Sequence, residues 1–225
     1  MNRTSTLLLL AFVLLSFTPR LNAQEKETVK KKGLTLNFTS LDPDFDPALK
    51  TRMIETFFVI YPKLIKEYNK NADKEVNFVI DPAYDGVAAT GGGRIVYSPA
   101  YFKKNPGDID VVTHEAMHVV QAYKGRSGPG WITEGIADYV RYKFGVDNKG
   151  AGWALPEFKS THKYDNSYRI TARFFVWIEK NGPKDFVQKL DAAMRDHTYT
   201  RDFWKQQTGK SLDELWAAYS ENPVI

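Results

Sequence analysis

The chain has 225 residues, with 31 Lys and Arg against 27 Asp and Glu, 14% aromatic residues and no cysteine. That length gives one ordinary domain room for a substantial core, and the near balance of charge excludes the clustered basic surface of a nucleic-acid binder. The missing cysteines exclude disulfides and a lipidated-cysteine anchor, so stability must come from the core and from any bound metal.

The first 23 residues place Arg3 ahead of an apolar run from Leu7 to Phe17 and finish in Leu21-Asn22-Ala23, the layout of a signal peptide. The apolar run is shorter than the roughly 20 residues a comfortable membrane span requires. The expectation is an exported protein, secreted or periplasmic, with no stable membrane anchor once the leader is removed. Residues 24–33, with Lys30-Lys31-Lys32, read as a flexible solvated tail, and 34–225 as one domain without repeats or a dividing linker.

Leu34 to Phe38 alternates apolar and polar residues as a half-buried strand does, and Asp42 to Pro47 reads as a turn. From Ala48 to about Asn69 the apolar residues Leu49, Met53, Phe57, Ile60, Leu64, Ile65 and Tyr68 recur at helical intervals, with Pro62 an expected disturbance. Val76 to Ile80 is a further strand. Val87 to Ala89 and Arg94 to Tyr97 are two extended pieces around Gly91-Gly92-Gly93, which lacks the Lys-Ser/Thr of a phosphate loop. This is the beginning of an α+β fold.

Pro106-Gly107-Asp108 then turns the chain, with Asp108 placed to cap a helix that Gly125 ends. The helix carries His114-Glu115-Ala116-Met117-His118. At about 3.6 residues per turn, residues four apart stack, so His114 and His118 present their imidazoles to one point, as Zn²⁺ requires. Glu115 flanks that point without being a ligand and is placed to take a proton from water. After a Gly/Pro-rich turn, Trp131 to Arg141 reads as a second helix with Glu134 and Asp138 on one face. Glu134 is the candidate third ligand, and Asp138 the acceptor for the free ring N–H of a ligand histidine.

Gly145 to Lys163 is irregular, contains Trp153, Pro156 and His162, and suits the wall of a cleft. Asn166 or Ser167 caps a largely buried helix running to about Lys180. Gly182-Pro183 separates it from a helix over Lys184 to about Asp196, Thr200 to Gln207 is a short helix, and Ser211-Leu-Asp-Glu214 is a capping box opening the last one. The lone His197 receives no role.

Four segments together, His114 to Gln121, Glu134 to Arg141, Tyr168 to Phe174 and Gly209 to Trp216, resemble the basic secretory protein family of secreted zinc peptidases. The resemblance covers most of the chain beyond about residue 34. It implies a zincin-like metallopeptidase domain of α+β class, with a small N-terminal twisted sheet with helices, an active-site helix and a mostly helical C-terminal half. It also implies one Zn²⁺ per chain with Glu134 as third ligand. Gln121 and Lys124 stand where the longer metzincin pattern has Gly and His, so no third histidine ligand is expected there.

Tyr168, in a matching segment, is the first candidate to donate a hydrogen bond to the oxyanion, with His162 second. By analogy with zincins, the strand of Arg94, Ile95, Val96 and Tyr97 is the candidate substrate-binding edge. The resulting expectation is an exported zinc-dependent peptidase acting on a peptide or protein. The other two readings are hydrolysis of a non-peptide amide and a secreted binding or defence module with a mainly structural zinc. The oligomeric state is not legible in the sequence.

Overall fold

A computed structural model describes residues 25–125 and 127–225; the expected leader lies outside them. The N-terminal part is a five-stranded sheet in the order β1-β2-β3-β5-β4. Its strands are β1 (Glu25–Lys31), β2 (Leu34–Ser40), β3 (Glu75–Ile80), β4 (Ala88–Gly91) and β5 (Arg94–Tyr97). β2, β3 and β5 are mutually parallel, whereas β1 and β4 run antiparallel at the two edges.

The stretch expected as a tail is therefore a correction. Residues 25–31 pair with β2 along their whole length, from Glu25 opposite Ser40 to Lys31 opposite Leu34. They are almost wholly exposed, so the strand is held by ladder hydrogen bonds and gives no burial pattern to read. In β2 the alternation holds as expected: Leu34, Leu36 and Phe38 are buried, while Asn37 on the opposite face donates to Asn77 Oδ1 at 3.1 Å.

Helix α1 (Pro47–Glu67) crosses from β2 to β3 and covers the apolar face of the sheet with Met53, Phe57, Ile60 and Leu64, all fully buried. Asp46 caps it by accepting from Ala48 N at 2.8 Å, and Pro47 occupies the first turn, where a missing N–H costs nothing. Pro62 is accommodated inside the helix without ending it. Gly92 and Gly93, both at positive φ (59° and 77°), make the two-residue turn between β4 and β5. A short helix absent from the sequence expectation, α2 (Pro99–Lys104), follows behind a Ser98 cap.

The remaining helices are α3 (Val111–Gln121), α4 (Gly130–Phe144), α5 (Tyr168–Asn181), α6 (Phe186–Arg195), α7 (Phe203–Thr208) and α8 (Leu212–Glu221). α3 is buried at every residue except His118, so it runs through the core between sheet and C-terminal helices. α4 and α5 pack at very close range. A Cβ on Gly135 would lie 2.3 Å from Thr171 Cγ2 and 3.1 Å from the Phe175 ring, so only glycine admits this approach. One hydrophobic cluster extends from the sheet through α1 and α3 into Phe174, Phe186 and Trp204. Among the described residues no helix is long and apolar enough to cross a membrane.

Candidate active site

α3 starts later than its sequence suggests. Its N-cap position is Asp110, whereas Asp108 is buried, accepts from the Tyr101 hydroxyl and pairs with the Arg141 guanidinium. The Asp110 carboxylate instead takes the Thr113 hydroxyl at 2.8 Å and the backbone N–H groups of Val146 and Asp147 at 2.8 and 2.6 Å. Two buried acids thus tie the start of α3 to the end of α4 and the loop beyond it. The registry between the two helices is fixed by these bonds.

One turn into α3, His114 and His118 turn their Nε2 atoms toward each other at 3.1 Å. Glu134 Oε2 on α4 lies 3.2 Å from the first and 3.4 Å from the second. Both rings are oriented from behind. His114 Nδ1 faces Asp138 Oδ1 at 2.7 Å, and His118 Nδ1 faces Gln121 Oε1 at 2.7 Å, whose own amide donates to Thr133 O at 3.0 Å. With each Nδ1–H donated backwards, both Nε2 atoms face the same space as a carboxylate oxygen, and each can offer a lone pair to a cation that displaces its proton.

Three electron-pair donors converging in this way call for a cation. Donors about 2.0–2.1 Å from a tetrahedral Zn²⁺ are separated by about 3.3–3.4 Å; the three separations here are 3.1, 3.2 and 3.4 Å. The cluster fits such an ion, and of the described residues these three are the set close enough to share one. Electrostatics point the same way. Burial by itself would lower the basicity of His114, but its hydrogen bonds to Asp138 and Glu134 outweigh burial and hold the imidazole up at about 10. Burial of Glu134 acts against its ionisation, yet the two histidines hold its carboxyl far below the usual range.

Glu115 is 6% exposed and points into the same space, its Oε2 accepting the Thr90 hydroxyl at 2.7 Å. That contact brings β4 to the site. The cleft, of about 1420 Å³, is lined by β4 and its glycine turn on one side, by α3 and α4 beneath, and by Trp153, Tyr168 and Arg169 opposite. Tyr168 is 54% exposed and its ring lies nearly parallel to that of His114, centroids 6.2 Å apart. The Glu134 carboxylate, followed by burial, pushes its phenol above the ordinary value, so it keeps its proton at neutral pH.

Two sequence expectations need correcting. β5 is an interior strand: Arg94 is exposed away from the cleft, Ile95 and Tyr97 lie in the core, and Val96 pairs on both sides, with Val79 and Ala89. The free edge beside the site is β4. Because Gly92-Gly93 is a two-residue turn, Gly91 and Ala89 direct their polar backbone groups to β5, in step with Ser98 N donating to Val87 O at 3.1 Å. Ala88 and Thr90 therefore direct theirs outward; the Ala88 carbonyl accepts from the Tyr84 hydroxyl at 3.0 Å. His162 lies outside the cleft lining, accepting from Lys159 N and edge-on to Phe158. Gln121 was missed as an orienting residue, although its place three after His118 is the i, i+3 spacing that brings side chains together.

A family model described as a peptidase of plants and bacteria matches residues 21–219. No curated protein matches the chain. Among solved structures, a two-domain M1 zinc metallopeptidase with bound L-tryptophan aligns at TM-score 0.53 and 13% identity over 90% of this chain and 52% of that one. The M1 zinc metallopeptidase of Deinococcus radiodurans aligns at TM-score 0.51 and 12% identity, over 90% and 53%. Its form bound to a Tyr-Ser-Ala substrate aligns at TM-score 0.52, with the same identity and coverage. At such identities the likeness is one of fold, and the chain spans about half the length of these structures.

Proposed function

The chain belongs to the BSP family of peptidases of plants and bacteria, and from that premise we propose that it is an exported, zinc-dependent peptidase working at the cleft between β4 and α3. The observation that carries this reading is the convergence of His114 Nε2, His118 Nε2 and Glu134 Oε2 within 3.4 Å of one another, with Glu115 beside them and cleft space above. These three residues would hold the ion. Zinc held there supplies Lewis acidity toward the scissile carbonyl and acidifies water. Three protein donors leave the cleft side open, which supports a hydrolytic over a purely structural role.

The chain's own residues do the rest. Asp138 and Gln121 keep each histidine in the tautomer with its Nε2 lone pair forward. Glu115 takes a proton from the attacking water and returns it to the leaving amine. The Thr90 hydroxyl holds that carboxylate toward the cleft. The outward backbone groups of β4, chiefly the N–H and C=O of Thr90, pair with an extended peptide as an added strand. Tyr168, protonated and beside His114, donates to the oxygen that becomes negative as the carbonyl is attacked.

The test is zinc content alongside hydrolysis of an unbiased peptide library by the mature chain and by Glu115→Gln. One zinc in each, with cleavage only by the wild type, supports the reading. Full activity in Glu115→Gln would overturn the role of Glu115, and zinc in both with cleavage in neither would move the assignment to a non-peptide amide or a binding module.

A further inference from the structure

The cleft is electrically polar along its length. Near the start of α3 lie Arg141, paired with Asp108, Arg169, whose charge acts on Tyr101, the other partner of Asp108, and Lys104 at the end of α2. Asp73 lies near the other end of α3, following Asn69, which donates to Val120 O, and preceding β3, whose start is level with the glycine turn. Arg141 is spent on Asp108. Arg169 and Lys104 have no carboxylate within ion-pair distance among the described residues, and the one recorded contact of the Arg169 guanidinium is a long 3.5 Å approach to Ala154 O. Arg169 is nevertheless near enough to Tyr101 for its charge to act on that hydroxyl.

The backbone that presents Arg169 is strained. Ser167 sits at φ 68°, ψ 179°, a region that is nearly glycine's alone, and Tyr168 follows at φ 49°. The turn is braced from behind by Asn166 Oδ1, which accepts from Lys163 N at 2.8 Å, and by the Thr171 hydroxyl, which donates to Tyr164 O at 2.6 Å. Strain of this kind persists where surrounding contacts impose it, and here its outcome is that Tyr168 and Arg169 both line the cleft.

Strand direction gives the charges a meaning. β4 runs from Ala88, whose carbonyl is held by the Tyr84 hydroxyl next to Tyr168, to Gly91, level with Arg94 and Asn77 and so with the start of β3 that follows Asp73. A peptide added antiparallel to it runs the other way, its C-terminal side toward Arg169. We infer that Arg169, assisted by Lys104, is a recognition point for a carboxylate on the C-terminal side of the bond to be cut. That carboxylate is either an acidic side chain or the peptide's own terminus, and the inference rests on the peptidase reading above. Arg169 suits the task because its planar fork meets a carboxylate through two parallel N–H groups.

The experiment uses the full mature chain with zinc and two peptide pairs sharing one core sequence. The first pair carries Glu or Gln on the C-terminal side of the scissile bond with an amidated end; the second ends in a free acid or an amide. The wild type is expected to favour the carboxylate member of at least one pair by about tenfold or more in kcat/KM, as charge-assisted hydrogen bonding gives. Whichever pair responds identifies the source of the carboxylate. In Arg169→Gln that ratio falls toward one, and Arg169→Lys keeps part of it.

Equal rates within both pairs, or a ratio that survives Arg169→Gln, would overturn the inference and leave the peptidase reading intact. Binding of the same peptides to Glu115→Gln separates the opposite case. Arg169-dependent binding of a carboxylate member without any cleavage by the wild type would sink the peptidase reading and retain this one, whereas neither cleavage nor such binding would sink both.

Discussion

Replacing Asp138 with Asn keeps the size and the hydrogen-bonding reach of the side chain and removes only its charge. In the wild type that carboxylate is 4% exposed and lies 2.7 Å from His114 Nδ1. A charge-assisted bond in so dry a place is worth about 1.5–3 kcal/mol, matching the roughly 10- to 100-fold in metal affinity that such supporting residues contribute. The amide–imidazole bond of Gln121 is neutral and should be worth about 0.5–1.5 kcal/mol. Asp138→Asn is therefore expected to weaken zinc binding by about 10- to 100-fold, and Gln121→Ala by less than about tenfold.

Zinc must also displace the proton that the metal-free site holds on His114, whose imidazole sits at about 10. Asn at 138 weakens that competitor as well, so the deficit of Asp138→Asn should widen as the pH rises from about 7 toward about 10. Competition of zinc against a chelator of known affinity at several pH values measures this, with circular dichroism confirming that each variant is folded. Wild-type affinity across the whole range, or a larger loss from Gln121→Ala than from Asp138→Asn, would refute the argument.

Glu115→Gln should lower kcat by at least about 10²–10⁴-fold, the usual share of a general base, with zinc affinity nearly unchanged; peptide turnover and metal titration check both halves. Ser167→Gly should raise stability by about 1 kcal/mol, because relief of about 1–3 kcal/mol of strain exceeds the added freedom of the unfolded chain; a lower Tm in thermal denaturation would contradict the strain. Burial lifts the Asp191 carboxyl from 3.8 to about 6 against the pull of Arg195 and Tyr123. A raised folded value means that its contribution is fully present below pH 3.8 and lost as pH rises through about 6. Urea unfolding should therefore show Asp191→Asn gaining on the wild type, by roughly 3 kcal/mol, across that window; parallel pH profiles would refute this. Thr90→Val should slow hydrolysis while leaving zinc content alone, since its hydroxyl touches Glu115 and none of the three donors.

Helix geometry is local, and residues four apart stack whatever surrounds them, so His114 with His118 and Glu134 with Asp138 could each be paired from spacing, whereas the meeting of the two pairs depends on how α3 packs on α4. What spacing cannot give is which strand ends up outermost. Gly92-Gly93 announces a hairpin, but β4 becomes the edge only because β5, reached through the 81–87 loop and β4 itself, pairs with β3 in parallel. The charged stretch 25–31 becomes a strand by local pairing through the two-residue Lys32-Gly33 turn, both residues at positive φ, and its exposed side chains carry no hydrophobic pattern to reveal it. The sequence ranks Tyr168 ahead of His162 as donor, and the path of the loop separates them: His162 faces Phe158, Tyr168 faces His114. Asp108, the cap expected from sequence, is instead taken by Arg141, three turns along another helix, and the cap position falls to Asp110.

The contact at Gly135 sets a rule for which sequences this architecture accepts. Residue 135 follows Glu134 directly, and the Thr171 methyl fills the space that its own Cβ would take. Volume at 135 and volume at 171 therefore trade against each other. A chain that gains a methyl at 135 must give one up at 171, or else α5 moves outward and carries Tyr168 and Arg169 with it. Relatives and engineered variants should show these two positions changing together, with the pair behaving as a gauge for the separation between the helix bearing Glu134 and the turn opposite.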